Sequence, residues 1–273
     1  MRKLSTLAFA GALWMTLAPR PGTEAASLYL YVPSITGENS TPGYPGAMAV
    51  QSLTVTPDNF SIVKSVDKAS PTIFSDVATA KSLHTTNVLL YNSPPWGPPD
   101  ATLAFQNVFA SSYVVLGGGT TEQDGFNATT PNSMYLQLPG VTGEDATPGH
   151  PGVMRVDSFS ITGSNFSIVK SVDKASPGIE SLILKGTPVS TASMLFYNSA
   201  PLGPPDAVLA FQDVLGTSRL LSSGGDLPTE TDTFNFISVV PEPASMALLV
   251  IGITGLAAVA GRKDQGKGKK FRN

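Results

Sequence analysis

The residues best able to do chemistry lie in a segment that occurs twice. Lys64-x-x-Asp67-Lys68-Ala69-Ser70-Pro71 and Lys170-x-x-Asp173-Lys174-Ala175-Ser176-Pro177 each place two ammonium groups, a carboxylate and a hydroxyl within eight residues. Such a cluster can be an intersubunit or ligand contact. It can also be a structural corner. There a Lys–Asp pair fixes a turn, Ser70 or Ser176 caps a helix, and Pro71 or Pro177 fills the first helical turn, where no N–H is missed. The corner explains the Ser-Pro step directly, and a cap is worth about 1 kcal/mol.

Other chemistries have less to stand on. The two histidines, His84 and His150, face Ser190 and Tyr44 at the equivalent positions of the repeat, so no histidine site is shared by the two copies. No Gly-x-Ser-x-Gly elbow occurs, which disfavours a hydrolase. Gly117-Gly118-Gly119 and Gly224-Gly225-Asp226 lack the Gly-Lys-Ser/Thr that cradles phosphate. Asp226, Glu230 and Asp232 could hold Ca²⁺ loosely, but no EF-hand loop is present. Tyr29, Tyr31, Tyr44 and Trp96 could stack on sugars, although at 8% aromatic residues ordinary strand packing accounts for them better. No catalytic residue, cofactor or metal is therefore expected.

The chain of 273 residues has no cysteine, so disulfide and thiolate chemistry are excluded. Only 14% of its residues are charged, and its 26 glycines and 23 prolines favour turns over long helices. From Ser27 to Val240 there are 8 Lys and Arg against 17 Asp and Glu, a balance of −9. A body this acidic is a poor partner for nucleic acid. The basic residues gather at the ends instead. Arg2 and Lys3 precede an apolar run from Leu4 to about Ala18 and a short polar stretch, the pattern of a signal peptide over 1–26 with its signal helix. At the other end Pro241-Glu242-Pro243 is followed by 18 uncharged residues, 244–261, and by six basic residues within 262–273. Those 18 residues predict a transmembrane helix, with the basic tail on the cytoplasmic side. The order tripeptide, span, basic tail resembles the PEP-CTERM sorting signal, with Pro241, Glu242 and Pro243 as its motif. That resemblance implies processing by signal peptidase and by exosortase, a membrane transpeptidase. The chain is then anchored in the inner membrane before processing, and afterwards lies in the periplasm, at the outer surface or outside the cell.

Positioning the repeated cluster is the task of a repeated domain. Asn59 to Pro71 recurs unchanged as Asn165 to Pro177, at an offset of 106. Leu28 to Gly119 matches the second copy at 49 of 92 ungapped positions. A two-residue shift then aligns Thr121-Glu122 with Thr229-Glu230. The units are 27–130 and 133–239, with the sorting segment at 240–273. Apolar residues recur mostly with period two, predicting strands at 28–32, 53–56, 60–62, 88–91, 101–108 and 113–116. Ile73, Phe74, Val77 and Ala80 predict one short helix, and Ile179, Leu182 and Ile183 its counterpart.

Thr36-Gly37-Glu38 and Thr142-Gly143-Glu144 are followed by Pro-Gly-x-Pro-Gly, by the Lys-x-x-Asp-Lys-Ala-Ser-Pro segment, and by a closing Thr-Glu strand. This pattern resembles the Hcp family, the haemolysin-coregulated proteins of the type VI secretion tube. The resemblance covers nearly all of 27–239, twice. It implies a mainly β protein of two tandem antiparallel β-barrels with one short helix each, and assembly of domains into rings. Three tandem chains could then self-associate into a pseudo-hexameric ring. In the first copy Asn127-Ala128 stands where the second has Asn235-Phe236, which predicts a shorter or looser last strand. An export signal and a sorting tail depart from cytoplasmic single-domain tube proteins. The expectation is thus a non-catalytic exported structural protein, with a monomeric surface module for exopolysaccharide or protein as the alternative.

Overall fold

In the computed structural model the described residues are 26–240, apart from 42, 93–96, 130, 148, 202 and 224–226. The predicted signal peptide except Ala26, the sorting motif, the predicted span, Trp96 and Asp226 lie outside them. Among the described residues no helix is long and apolar enough to cross a membrane.

One succession of elements appears twice. The first copy runs β1 (Ser27–Tyr31), β2 (Asn39–Thr41), β3 (Tyr44–Val50), β4 (Ser52–Thr56), β5 (Asn59–Ser65), α1 (Ser70–Thr79), β6 (Ser82–Tyr91), β7 (Ala101–Val115) and β8 (Thr121–Asn127). The second runs β9 (Ser133–Gln137), β10 (Asp145–Thr147), β11 (His150–Val156), β12 (Ser158–Thr162), β13 (Asn165–Ser171), α2 (Ser176–Lys185), β14 (Val189–Tyr197), β15 (Ala207–Ser222) and β16 (Thr229–Asn235), and adds β17 (Ser238–Val240). The described residues are mainly antiparallel β with two short helices.

Alternation decides which side chains enter the core. In β5 the inward set is Phe60, Ile62 and Lys64; in β8 it includes Glu122, Asp124 and Phe126. Phe60 stacks on Phe105 and Phe126 at 4.2 and 4.7 Å between ring centroids. The second copy enlarges this stack. Phe166 lies 4.6 Å from Phe211 and 4.9 Å from Phe234, and Phe159 and Phe236 pack around them.

Three sequence expectations are corrected. The last strand of the first copy is not shortened: β8 has seven residues, as β16 does, and pairs with β5 from Asn59↔Asn127 to Ser65↔Thr121. The two predicted strands at 101–108 and 113–116 are one, because Asn107 takes a φ of 51° and lets β7 bulge and continue; Asp213 takes the same φ in β15. Asn and Asp accept this left-handed conformation more readily than other non-glycine residues. Lastly, the sheet is not closed into two barrels. In the first copy the ladder runs β2-β3-β1-β6-β7-β8-β5-β4. Its β4 end is joined covalently to β3, the strand next to the other end, since β3 passes into β4 through Gln51 alone, whose N–H donates to Val63 O (2.7 Å).

The outer edge of β4 is not free. It pairs with β12 of the second copy, in the register Ser52↔Thr162, Leu53↔Ile161, Thr54↔Ser160, Val55↔Phe159. Thr54 and Ser160 are equivalent residues of the repeat, and Thr54 Oγ1 donates to Ser160 Oγ across the seam (3.2 Å). The two copies therefore meet about a local twofold axis through that pair. A second link is made by Asn92, which grips the last strand: its Nδ2 donates to Val239 O and its Oδ1 accepts from Val239 N–H, both at 2.6 Å. On its other side β17 pairs with β15.

Candidate functional site

The repeated segment folds into a corner between β5 and α1, and again between β13 and α2. Period-two alternation carries Lys64 inward, and its side chain is fully buried. Its Nζ lies 2.6 Å from Glu122 Oε1 and 2.7 Å from Asp67 Oδ1, and donates to Ser65 O (3.2 Å) and Ser70 Oγ (3.2 Å). Ser70 Oγ in turn donates to Glu122 Oε1 (2.8 Å) and accepts from Asp67 N–H (2.9 Å). Lys170 repeats the pattern, with Glu230 Oε1 at 2.8 Å and Asp173 Oδ1 at 2.6 Å, and Ser176 Oγ donates to Glu230 Oε1 at 2.8 Å. Buried charges persist only when paired and hydrogen-bonded, and each of these groups is.

The helix caps differ from expectation. Ser70 and Ser176 are the first helical residues, and Ala69 and Ala175 hold the cap positions without a side-chain bond. The capping oxygen is that of Asp67 or Asp173, whose Oδ1 accepts from Ala69 N–H or Ala175 N–H (2.9 Å each). The serine hydroxyl is diverted to the buried glutamate. Pro71 and Pro177 do occupy the first turn. Lys68 and Lys174 are exposed; only their backbone N–H groups join the corner, donating to Glu38 Oε1 (3.3 Å) and Glu144 Oε1 (3.2 Å). This gives the Gly-Glu motif its place. Gly37 and Gly143 run against the Ala47 and Val153 carbonyls, where a Cβ would collide, and the next residue reaches the corner. In the predicted helix faces, Ile73 and Ile179 are buried and Val77 half-buried, whereas Phe74 is exposed and Ala80 is the left-handed C-cap.

Sequence reasoning missed the acidic half of the site. Glu122, Asp124, Glu230 and Asp232 are all buried on the face opposite Lys64 or Lys170. The signal was present in the repeated Thr-Glu step and in an E-x-D alternation, but only the β5–β8 and β13–β16 pairings bring it to the lysine. It also removes four carboxylates from the surface, so the exterior is less acidic than the −9 balance implies. Asp124 is pushed up to about 7, by burial first and then by the charge of Glu122; Lys64 opposes the shift. Asp232 is likewise pushed up to about 7 by burial and then Glu230, against Arg219 and Lys170.

Here the copies part. Position 113 is tyrosine, and its equivalent 219 is arginine. Arg219 donates to Glu230 Oε2 and to Ser176 O (2.8 Å), and its Nε lies 3.8 Å from Asp232 Oδ1. Among the described residues neither oxygen of Asp124 accepts a hydrogen bond, and the same holds for both oxygens of Asp232; what differs is Glu122 Oε2, which lacks the donor that Arg219 gives Glu230 Oε2. The Tyr113 hydroxyl is pushed up to about 12, by desolvation first and then by Glu122.

The remaining candidates do not converge. Among the described residues no group of three or more His, Asp or Glu is placed to hold a metal ion, and Glu230 and Asp232 face Lys170 and Arg219 rather than a loop. His150 Nδ1 lies 3.1 Å from Gln137 Oε1, while His84 adopts a φ of 58° on an irregular stretch of β6. Tyr29 packs edge-on against Tyr91, and Tyr31 against Tyr44, so no flat aromatic platform forms from them. A shallow polar hollow at the junction of the copies is lined by Asp58, Asn59, Asn127, Ala128, Thr129 and Asn132.

No protein-family model and no curated protein matches the chain. Among solved structures, the chain is similar to a type VI secretion system effector from Yersinia pestis at 24% identity, over 38% of this chain and 83% of that one, with a TM-score of 0.34. Hcp1 from Salmonella typhimurium matches at 20% identity, over 38% and 79%, with a TM-score of 0.34. The secreted protein Hcp3 from Pseudomonas aeruginosa matches at 19% identity, over 39% and 86%, with a TM-score of 0.31.

Proposed function

We propose that the chain is a non-catalytic structural protein with an Hcp-like fold, exported and sorted to the cell envelope or exterior through its C-terminal segment. The observation that carries this reading is the use made of the duplicated motif. In both copies its lysine is turned inward, and the ammonium is enclosed by the chain's own carboxylates, carbonyl and hydroxyl. Duplication has kept a support, not a reaction centre. Signal peptidase and exosortase are its processing partners in this reading. Replacing Pro241, Glu242 and Pro243 by alanine is expected to leave the chain unprocessed at its C-terminus. Normal processing of that variant, followed by mass spectrometry, overturns the sorting reading.

A second reading, a monomeric surface module for exopolysaccharide or protein, has one observation in its favour. A ring of three tandem chains needs head-to-tail contacts, each domain turning the same way. The seam between β4 and β12 is isologous instead, the same strand edge serving both copies. Light scattering on residues 27–240 is expected to give the mass of one chain over a wide concentration range. A three-chain mass favours the ring.

A further inference from the structure

We propose that the Glu122–Asp124 pair is a proton-binding site, one that lets the first copy tighten on acidification and loosen in alkali. At the equivalent place the second copy supplies a guanidinium, and Arg219 reaches Glu230 and Asp232 from β15. The first copy keeps the three buried or half-buried carboxylates of that site, has Phe74 where the second copy has Glu180, and lacks this cation.

The groups facing Asp124 are few and can be named. From β5 comes Lys64, from the corner Asp67, from β8 its own neighbour Glu122, and from β7 Tyr113. Three carboxylates thus surround one ammonium in the first copy. In the second, Asp173, Glu230 and Asp232 face both Lys170 and Arg219, with Glu180 on the outer side of the guanidinium. Asp124 is fully buried and accepts no hydrogen bond from any donor among the described residues; its neighbour Glu122 can share a hydrogen bond with it only if one of the two carries a proton, an arrangement that favours the neutral acid. Tyr113 offers no charge in exchange. A proton is the smallest cation that completes the site, and it needs no entry path wider than a water molecule.

The sign of the response follows. Asp124 has an ordinary value of 3.8 and stands near 7 in the folded chain. The folded state therefore holds a proton that the unfolded state has released. The stabilisation is complete below about pH 4 and is lost as pH rises through 7. The full shift corresponds to up to about a thousandfold in the folding equilibrium. Asp232 stands at the same value with Arg219 already beside it, so the second copy responds in the same sense and to a similar degree.

The test uses the full-length chain in mild detergent, unfolded thermally and in urea from pH 5 to pH 8.5. Limited proteolysis mapped by mass spectrometry assigns each opening to 27–130 or 133–240. Stability is expected to fall with rising pH, with cleavage appearing first in the first copy. Asp124→Asn is expected to remove the first copy's share of that fall, and Asp232→Asn the second copy's. Tyr113→Arg, which installs the cation of the second copy, is expected to hold the first copy closed at pH 8.5. Infrared spectroscopy of the unaltered chain at pH 6 is expected to show a protonated buried carboxyl that weakens in Asp124→Asn. Absence of that band overturns the proposal, even if no variant folds. An unchanged pH slope in Asp124→Asn overturns it as well, as does a first copy that opens at pH 8.5 as readily in Tyr113→Arg as in the unaltered chain.

Discussion

The two copies agree residue for residue along the Lys-x-x-Asp-Lys-Ala-Ser-Pro corner and disagree in what is packed around it. Around the corner the second copy has Arg219 for Tyr113, and in the core it has Phe159 for Leu53 and Phe236 for Ala128. Each change adds a partner: a guanidinium on two buried carboxylates, and two more rings in the phenylalanine stack. The difference teaches that the corner sets the fold while its surroundings set how firmly each copy is held. The first copy is expected to be the weaker half.

The largest effect should come from the buried lysines. Lys64→Ala strands Glu122, Asp124 and Asp67 without a cation, a loss of about 3–5 kcal/mol by analogy with broken buried pairs. Lys170→Ala should cost less, because Arg219 remains beside Glu230. Urea unfolding of the two variants checks the order, and equal losses break the comparison. Phe236→Ala removes the ring that the first copy never had. It should cost about 3 kcal/mol and bring the second copy's transition towards the first in calorimetry. Two transitions that stay as far apart as before would show that Phe236 is not the source of the difference.

Asp67→Ala and Asp173→Ala come next, at about 1–3 kcal/mol each, since both the lysine and the helix start lose an acceptor. These variants should shift melting temperature and leave the chain's state of association unchanged. Unchanged melting with altered association would restore the contact reading of the motif. The smallest effect is expected from Asn92→Ala, about 1–2 kcal/mol for the two bonds to Val239. It should be seen mainly as faster hydrogen exchange in Ser238–Val240, and no change there would mean that β15 alone holds the last strand.

Much of this was legible in the residues. The duplication, the strand periodicity and the Pro-bearing helix start can be read directly, and the alternation Phe60, Ile62, Lys64 already points the lysine inward. What the residues did not disclose depends on partners distant in the chain. Glu122 lies 58 positions beyond Lys64, and only the β5–β8 register makes them neighbours. Ser70 looked like a cap because its hydroxyl is well placed for one, yet a buried glutamate competes for it more strongly. The period-two pattern breaks at Asn107, so one bulged strand read as two. The seam was hidden for a simpler reason. Thr54 and Ser160 are half-buried polar residues in otherwise ordinary strands, and nothing in their types says that they face each other.

That seam also makes the account directly testable, because the chain has no cysteine of its own. Thr54→Cys and Ser160→Cys, introduced together, place two thiols on directly opposed residues of β4 and β12, within reach of a disulfide after small adjustment. Under mild oxidation the account predicts an intrachain disulfide in nearly every molecule, with the product keeping the mass of one chain. Thiols that stay free, or disulfides that join one chain to another, would contradict the twofold pairing of the copies.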